Sequence, residues 1–311
     1  MHNPDFGANG RYTLYCPAGL PVLQSAMRLI VTADLHYNHA RSKAGAIDLI
    51  DEMNRAGGDV LLVIGDAAAA DGDELEQCLS KFHFSGPKLF VAGNHELWTH
   101  GPDSYELYHQ VLPRRLRELG WQWIETEPFV ANGVAIVGSV GWYDYSFAQD
   151  SLAIPDRFYE QKVSPGAAER FPELAYLLEG SDISAQSREV VARWNDGKFV
   201  KLQRDDRTFL EELITRLDRN LAAVQDSDRI IAAIHHLPFR ELLPPPRGSQ
   251  WDFAKAYLGS ERIGQCLERY KHVTHVLCGH SHWPAEAQIG QIQAVNIGSG
   301  YRRKIFRTFD L

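Results

Sequence analysis

Five times along this 311-residue chain a short aliphatic, often β-branched run stops abruptly at small, polar or metal-capable residues. Residues 28–33 (RLIVTA) run into Asp34-Leu35-His36, and 59–64 (DVLLVI) into Gly65-Asp66. Residues 88–92 (KLFVA) run into Gly93-Asn94-His95-Glu96, 229–234 (RIIAAI) into His235-His236, and 273–278 (VTHVLC) into Gly279-His280-Ser281-His282. Apolar runs this short, bounded by Gly and Asp, read as buried strands. Further strands are predicted over 134–138, 292–297 and 304–309. Helical periodicity lies between them, clearest over 42–56, where Ala46, Ile47, Ile50 and Met53 share a face, Ser42 can cap and Gly57 can terminate. Other helices are predicted over 73–83, 103–119 with a break at Pro113, 207–225 and 260–270. Strands alternating with helices make an α/β architecture. Ligands of such sheets collect beyond the carboxyl ends of the strands, where all five polar clusters sit.

Two stretches fall outside this rhythm. Residues 142–206 are rich in aromatic residues, Pro, Gly and Ser, far longer than an ordinary connection, and are expected to be an insertion or lid over the site. Residues 1–26 precede the first strand without a clear pattern, so the domain is expected to span 27–311, with 1–26 as an extension.

Composition narrows the partners. A net charge of -8 provides no general cationic field to gather nucleic acid or anionic lipid. The four cysteines are scattered without a CxxC pair, which disfavours a zinc ribbon and a disulfide scaffold and fits a reducing cytoplasm. No run approaches the ~18 apolar residues of a membrane span. A soluble, unexported protein is expected.

Each polar cluster alone is a weak signal; the ordered set is a strong one. Two divalent cations about 3.5 to 4 Å apart need a bridging carboxylate with nitrogen and oxygen ligands on both sides. Carboxylate, imidazole and amide oxygen suit Mn, Fe, Zn, Co or Ni, and a cluster so rich in Asp, His and Asn is costly to bury without a cation. The series DLH, GD, GNHE, HH and GHSH resembles the signature of the calcineurin-like metallophosphoesterases. The resemblance implies a four-layer αββα sandwich of two mixed β-sheets flanked by helices, with two divalent metal ions at the strand ends. It implies that Asp34, His36 and His282 hold one metal, that Asp66 bridges, and that Asn94, His235 and His280 hold the other. Adjacent strand residues face opposite ways, so one histidine of the 235–236 pair reaches the metal, and the family pattern favours His235. By the same resemblance His95 protonates the leaving oxygen or binds the phosphoryl group.

The implied activity is hydrolysis of a small phosphodiester or phosphomonoester by in-line attack of a metal-bound hydroxide. The alternatives are a metal-dependent nuclease and a non-catalytic protein-binding scaffold on the same fold. The chain departs from the protein phosphatases, whose GDxxDRG motif supplies an Asp and an Arg; here Asp66 is followed by Ala67 to Ala70. That leaves the partner of His95 unidentified. The extra tyrosine ligand of purple acid phosphatases has no counterpart either. Trp98, Trp142, Tyr143, Trp251 and Trp283 are read as packing beneath loops in preference to an aromatic rim, and Arg302, Arg303 and Lys304 as a solvated strand entry.

Overall fold

The computed structural model describes residues 27–101 and 103–311; the extension expected over 1–26 lies outside the described residues. Among the described residues eleven strands form two sheets: β1 (Arg28–Thr32), β2 (Val60–Ile64), β3 (Lys88–Val91), β4 (Gln122–Trp123), β5 (Phe129–Ala131), β6 (Val134–Ser139), β7 (Arg229–Ile234), β8 (Val273–Cys278), β9 (Ala285–Ile289), β10 (Ile292–Asn296) and β11 (Phe306–Asp310). The first sheet has the order β11-β1-β2-β3-β4 and the second β5-β6-β7-β8-β10-β9. β1 to β4 run parallel with β11 antiparallel at the edge. In the second sheet β6, β7, β8 and β10 are parallel, with β5 and β9 antiparallel at its edges.

The alternation of side chains along each strand builds the layers. Leu29, Val31, Leu62, Ile64, Leu89 and Val91 of the first sheet share one buried cluster with Ile136, Ile231, Ala233, Leu277 and Val295 of the second. Their neighbours Ile30, Leu61, Val63 and Phe90 point the other way and pack with Ala46, Leu49, Ile50 and Met53. Outside the second sheet, Ile230, Ala232 and Val276 pack with Phe209, Leu213, Ile263 and Leu267. The order is therefore helix, sheet, sheet, helix, the expected sandwich. Central parallel strands buried on both faces need continuous apolar runs, the pattern by which the sequence announces them.

Glu125 ties the two sheets together near the site. Fully buried, it accepts hydrogen bonds from Ala92 N (2.8 Å), Val140 N (2.8 Å) and the Tyr108 hydroxyl, which secures the chain just beyond β3 to the chain just beyond β6.

Some local expectations change. The first helix is Ala40–Ala56 and starts ahead of Ser42, which is not its cap; Ser42 is buried and donates to the Tyr301 carbonyl (2.9 Å). Gly57 ends that helix with φ 64°, as expected. The 103–119 helix does not break at Pro113. Asp103 caps its first turn, a π-helical turn spans Leu107–Val111, and Pro113 falls in the first turn of Leu112–Glu118, where a missing N–H is tolerated.

The 142–206 segment folds as short helical turns, among them Asp156–Glu160, Pro165–Ala168, Pro172–Leu178 and Asp196–Phe199. Trp142, Tyr143, Phe147 and Phe158 are fully buried, so Trp142 and Tyr143 form no rim. Asp206 anchors the segment's end, accepting from the Trp142 indole (2.8 Å), the Tyr145 hydroxyl and the Lys162 ammonium.

Candidate metal centre

The residues following the strands carry unusual backbone. Asp34, His36, Asp66, His280 and His282 have φ of 55°, 43°, 53°, 67° and 54°. A left-handed conformation costs a non-glycine residue of order 1–3 kcal/mol and persists only where surroundings enforce it, characteristically at functional sites. The enforcement is visible. Buried Glu96 accepts from Asp66 N (2.8 Å), Ala67 N (2.7 Å), Ala68 N (3.2 Å) and Gly93 N (2.6 Å), joining the loop after β2 to the loop after β3. Burial, then the nearby Asp66 charge, push the Glu96 carboxyl up to about 7. Ala67, Ala68 and Ala70 are fully buried, whereas Ala69, which stands where the GDxxDRG motif has its Asp, is partly exposed.

Close approach explains Gly93. A Cβ there would lie 2.1 Å from Asp66 Oδ1 and 2.6 Å from Asp66 N. Gly93→Ala is accordingly expected to displace Asp66 and weaken Mn²⁺ binding about tenfold or more while preserving the circular dichroism spectrum. Calorimetric titration checks this; unchanged affinity would contradict the packing argument.

The structure draws the expected site residues into one cluster. Donor atoms of Asp34, His36, Asp66 and His282 lie within 4.8 Å of one another, as do those of Asp66, His235 and His280. Asp66 belongs to both groups. Its carboxylate lies 3.4 Å from His235 Nε2 and 3.7 Å from His36 Nε2, and His282 Nε2 lies 3.5 Å from Asp34 Oδ1. His36 Nε2 and His282 Nε2 face each other at 2.9 Å. The Asp34 carboxylate accepts from His280 N (2.9 Å), which fixes the loop after β8 against the loop after β1.

Orphaned atoms test whether a cation suits the cluster. Asn94 Oδ1 and His235 Nε2 are buried without a hydrogen-bond partner. The other ring nitrogen of His235 contacts the Ile64 carbonyl (2.9 Å), and that of His280 the Tyr257 carbonyl (3.2 Å), the arrangement that leaves one nitrogen of each ring to point inward. Burial, then His95, lower His36 well below the usual histidine range; burial, then His236 and His235, do the same to His280. Neutral imidazole is the form that binds metal. Burial opposes ionisation of both Asp66 and His235, yet attraction wins: His95, then His235 and His36, hold Asp66 well below the usual carboxylate range, and Asp66 in turn raises His235 to about 9. Unpartnered oxygen and nitrogen donors around a shared carboxylate fit divalent cations.

Of the histidine pair, only His235 joins the cluster. His236 is fully buried, its Nδ1 against the Val140 carbonyl (2.8 Å) and its ring 4.1 Å from the His280 ring, so it supports His280 and faces no substrate. His95 stacks on Trp98 (3.7 Å between ring centroids), with Nε2 3.8 Å from Asp66 Oδ2 and Nδ1 unpartnered. Indole stacking thus holds the ring where protein phosphatases use a carboxylate.

A cavity of about 180 Å³ opens on the cluster. Asp66, Asn94, His95, His280 and His282 form its floor, Trp98 and Tyr301 flank it, and Arg193, Trp194 and Asn195 close it from the 142–206 segment. Sequence reasoning missed several of these. Tyr301 stacks on His36 (4.5 Å) beneath the Arg41 guanidinium (3.9 Å). Lys304, expected in solvent, donates to the Asp34 carbonyl (2.7 Å), and burial lowers its pKa to about 8. The Arg-Arg-Lys run advertised charge but not direction.

The family model for calcineurin-like phosphoesterases matches residues 27–284. The chain belongs to the calcineurin-like phosphoesterase family, whose members use divalent metals. Among solved structures it is similar to the phosphopantetheinyl hydrolase of Mycobacterium tuberculosis, at 21% identity and a TM-score of 0.61 over 90% of this chain and 92% of that one. It is also similar to a dimetal phosphatase from Danio rerio, at 14% identity and a TM-score of 0.53 over 92% and 93%. At such identities the likeness is one of fold. No curated protein matches the chain.

Proposed function

We propose that this chain is a binuclear metal-dependent phosphoesterase acting on a small phosphomonoester or phosphodiester. The observation that carries the reading is the pair of donor clusters sharing Asp66. In this reading Asp34, His36 and His282 would hold one divalent cation, Asn94, His235 and His280 the other, with Asp66 shared between them; Mn, Fe, Zn, Co and Ni all suit these donors. The chemistry such ions would supply there is polarisation of the phosphoryl oxygens and a nucleophile at neutral pH.

The chain's own residues do the rest. His95, nearly buried on the cavity floor, gives a proton to the departing oxygen. Trp98 keeps its imidazole in place by stacking. Arg193, whose guanidinium lies over the Phe171 ring (4.5 Å), and Asn195 line the same cavity and are suited to the leaving group. The 142–206 segment acts as a wall that limits substrate size. A cavity of about 180 Å³ is smaller than the usual ~300–1,000 Å³ of ligand pockets and favours a compact ester over a polynucleotide. Among the described residues no helix is long and apolar enough to cross a membrane, and Cys78, Cys266 and Cys278 are unpaired and buried, which supports a reducing, cytoplasmic setting.

The test is a screen of the Mn-, Zn- and Ni-loaded protein against phosphomonoesters, cyclic and linear phosphodiesters and single-stranded DNA. Metal-dependent turnover of small esters with DNA left intact is expected. Cleavage of DNA faster than any small ester would overturn the substrate reading, and binding of metal without hydrolysis of any ester would overturn the enzymatic one.

A further inference from the structure

Asn94 is the only amide among the seven proposed cation contacts, and an amide can face a site with either end. Oxygen inward makes a ligand; nitrogen inward presents donors to a cation and repels it. Something must decide the orientation, and the decision is made from the 142–206 segment. Asp196, at the start of the Asp196–Phe199 turn, is fully buried. Its Oδ1 accepts from Asn94 Nδ2 (2.9 Å) and from the Trp98 indole (2.7 Å). Its Oδ2 accepts from the Trp194 indole (2.7 Å) and the Tyr143 hydroxyl (3.1 Å).

A carboxylate only accepts, and this one is surrounded by three donors carried on large packed rings. It can neither rotate away nor offer a proton to an amide oxygen. The nitrogen of Asn94 must face it, which leaves Oδ1, buried and unpartnered, turned toward the cavity that Asp66, His280 and His282 also line. The same carboxylate holds Trp98, on which His95 stacks, and Trp194, which walls the cavity.

We propose that Asp196 is a positioning residue: it locks the Asn94 side chain with its oxygen toward the candidate metal cluster, making the 142–206 segment an integral part of that centre. This rests on the reading of Asn94 as a cation contact. It also gives that segment a role beyond limiting access, since removing the wall removes the orienting charge.

The experiment is Mn²⁺ titration by calorimetry of the full chain and three variants, Asp196→Asn, Asn94→Asp and the double exchange Asn94→Asp/Asp196→Asn, with circular dichroism as a check of folding. Asn94→Asp supplies a stronger cation ligand, but sets a second carboxylate 2.9 Å from the first, so it is expected to bind one of the two ions about tenfold or more weaker than the parent. The double exchange removes the facing charge and is expected to recover part of that loss, short of the parent because the new amide nitrogen also meets the Trp98 indole N–H; a general packing role would not produce such a coupling. Asp196→Asn alone is expected to weaken the same ion and leave the other unchanged. Asn94→Asp binding both ions as tightly as the parent, or a double exchange no better than Asn94→Asp, overturns the proposal. If Asp196→Asn does not fold, Asn94→Asp against the parent decides alone. Failure of the parent to bind Mn²⁺ would instead overturn the metal reading beneath it.

Discussion

Asp66→Asn is expected to lower metal occupancy and reduce hydrolysis by on the order of 10³ or more. The reason is position and charge together. Asp66 is 1% exposed, and its carboxylate lies between His36, His95 and His235, the shared member of both donor clusters. Asn keeps the shape and one oxygen but removes the charge that balances two cations, and with it transition-state stabilisation of about 4 kcal/mol, each 1.36 kcal/mol being tenfold in rate. Fold should survive, because Glu96 holds this loop through the Asp66 backbone N–H and not through its side chain. Metal analysis beside steady-state kinetics checks the result. Near-normal turnover with both metals bound would remove Asp66 from the bridging position.

His95→Ala is expected to behave differently, keeping its metal while losing on the order of 10² to 10⁴ in turnover, the usual span of general acid catalysis. His95 reaches Asp66 at 3.8 Å and groups with His36 and His39, but lies in neither of the two donor groups that share Asp66. Its ring lies on the cavity floor, held by stacking on Trp98. The loss should shrink for esters with good leaving groups such as p-nitrophenol, whose departing oxygen needs little protonation. A plot of rate against leaving-group pKa should therefore steepen in the variant. A parallel line would count against the acid role and leave His95 as a phosphoryl contact.

The parallel core of both sheets could be read from the sequence because its strands are buried on both faces. RIIAAI and VTHVLC coincide with β7 and β8 residue for residue, the apolar run ending where the polar cluster begins. Edge strands lacked that signal. β4 is two residues long, β5 is partly exposed, and β9 alternates half-exposed and exposed residues, so each reads as loop. β11 begins two residues later than expected, after a bend that no local pattern marks.

The same contrast governs the site. Residues that follow the motif strands were identifiable because position in the fold and position in the motif coincide. Asp196, Arg193, Trp194 and Tyr301 were not, since long-range packing alone brings them to the cavity. A lone Asp before Gly197 carries no mark of the four donors it will meet. Only the expectation that 142–206 lies at the metal-bearing edge pointed there.

Every role proposed for this site follows from two cations sharing Asp66. The measurement that tests it most directly is electron paramagnetic resonance of the chelator-stripped protein titrated with Mn²⁺. Ions about 3.5 to 4 Å apart across a common carboxylate couple magnetically. Saturation at two Mn²⁺ per chain with an exchange-coupled multiline spectrum, lost in Asp66→Asn, is the predicted result. An isolated six-line spectrum at saturation, or binding that stops at one ion, would contradict it.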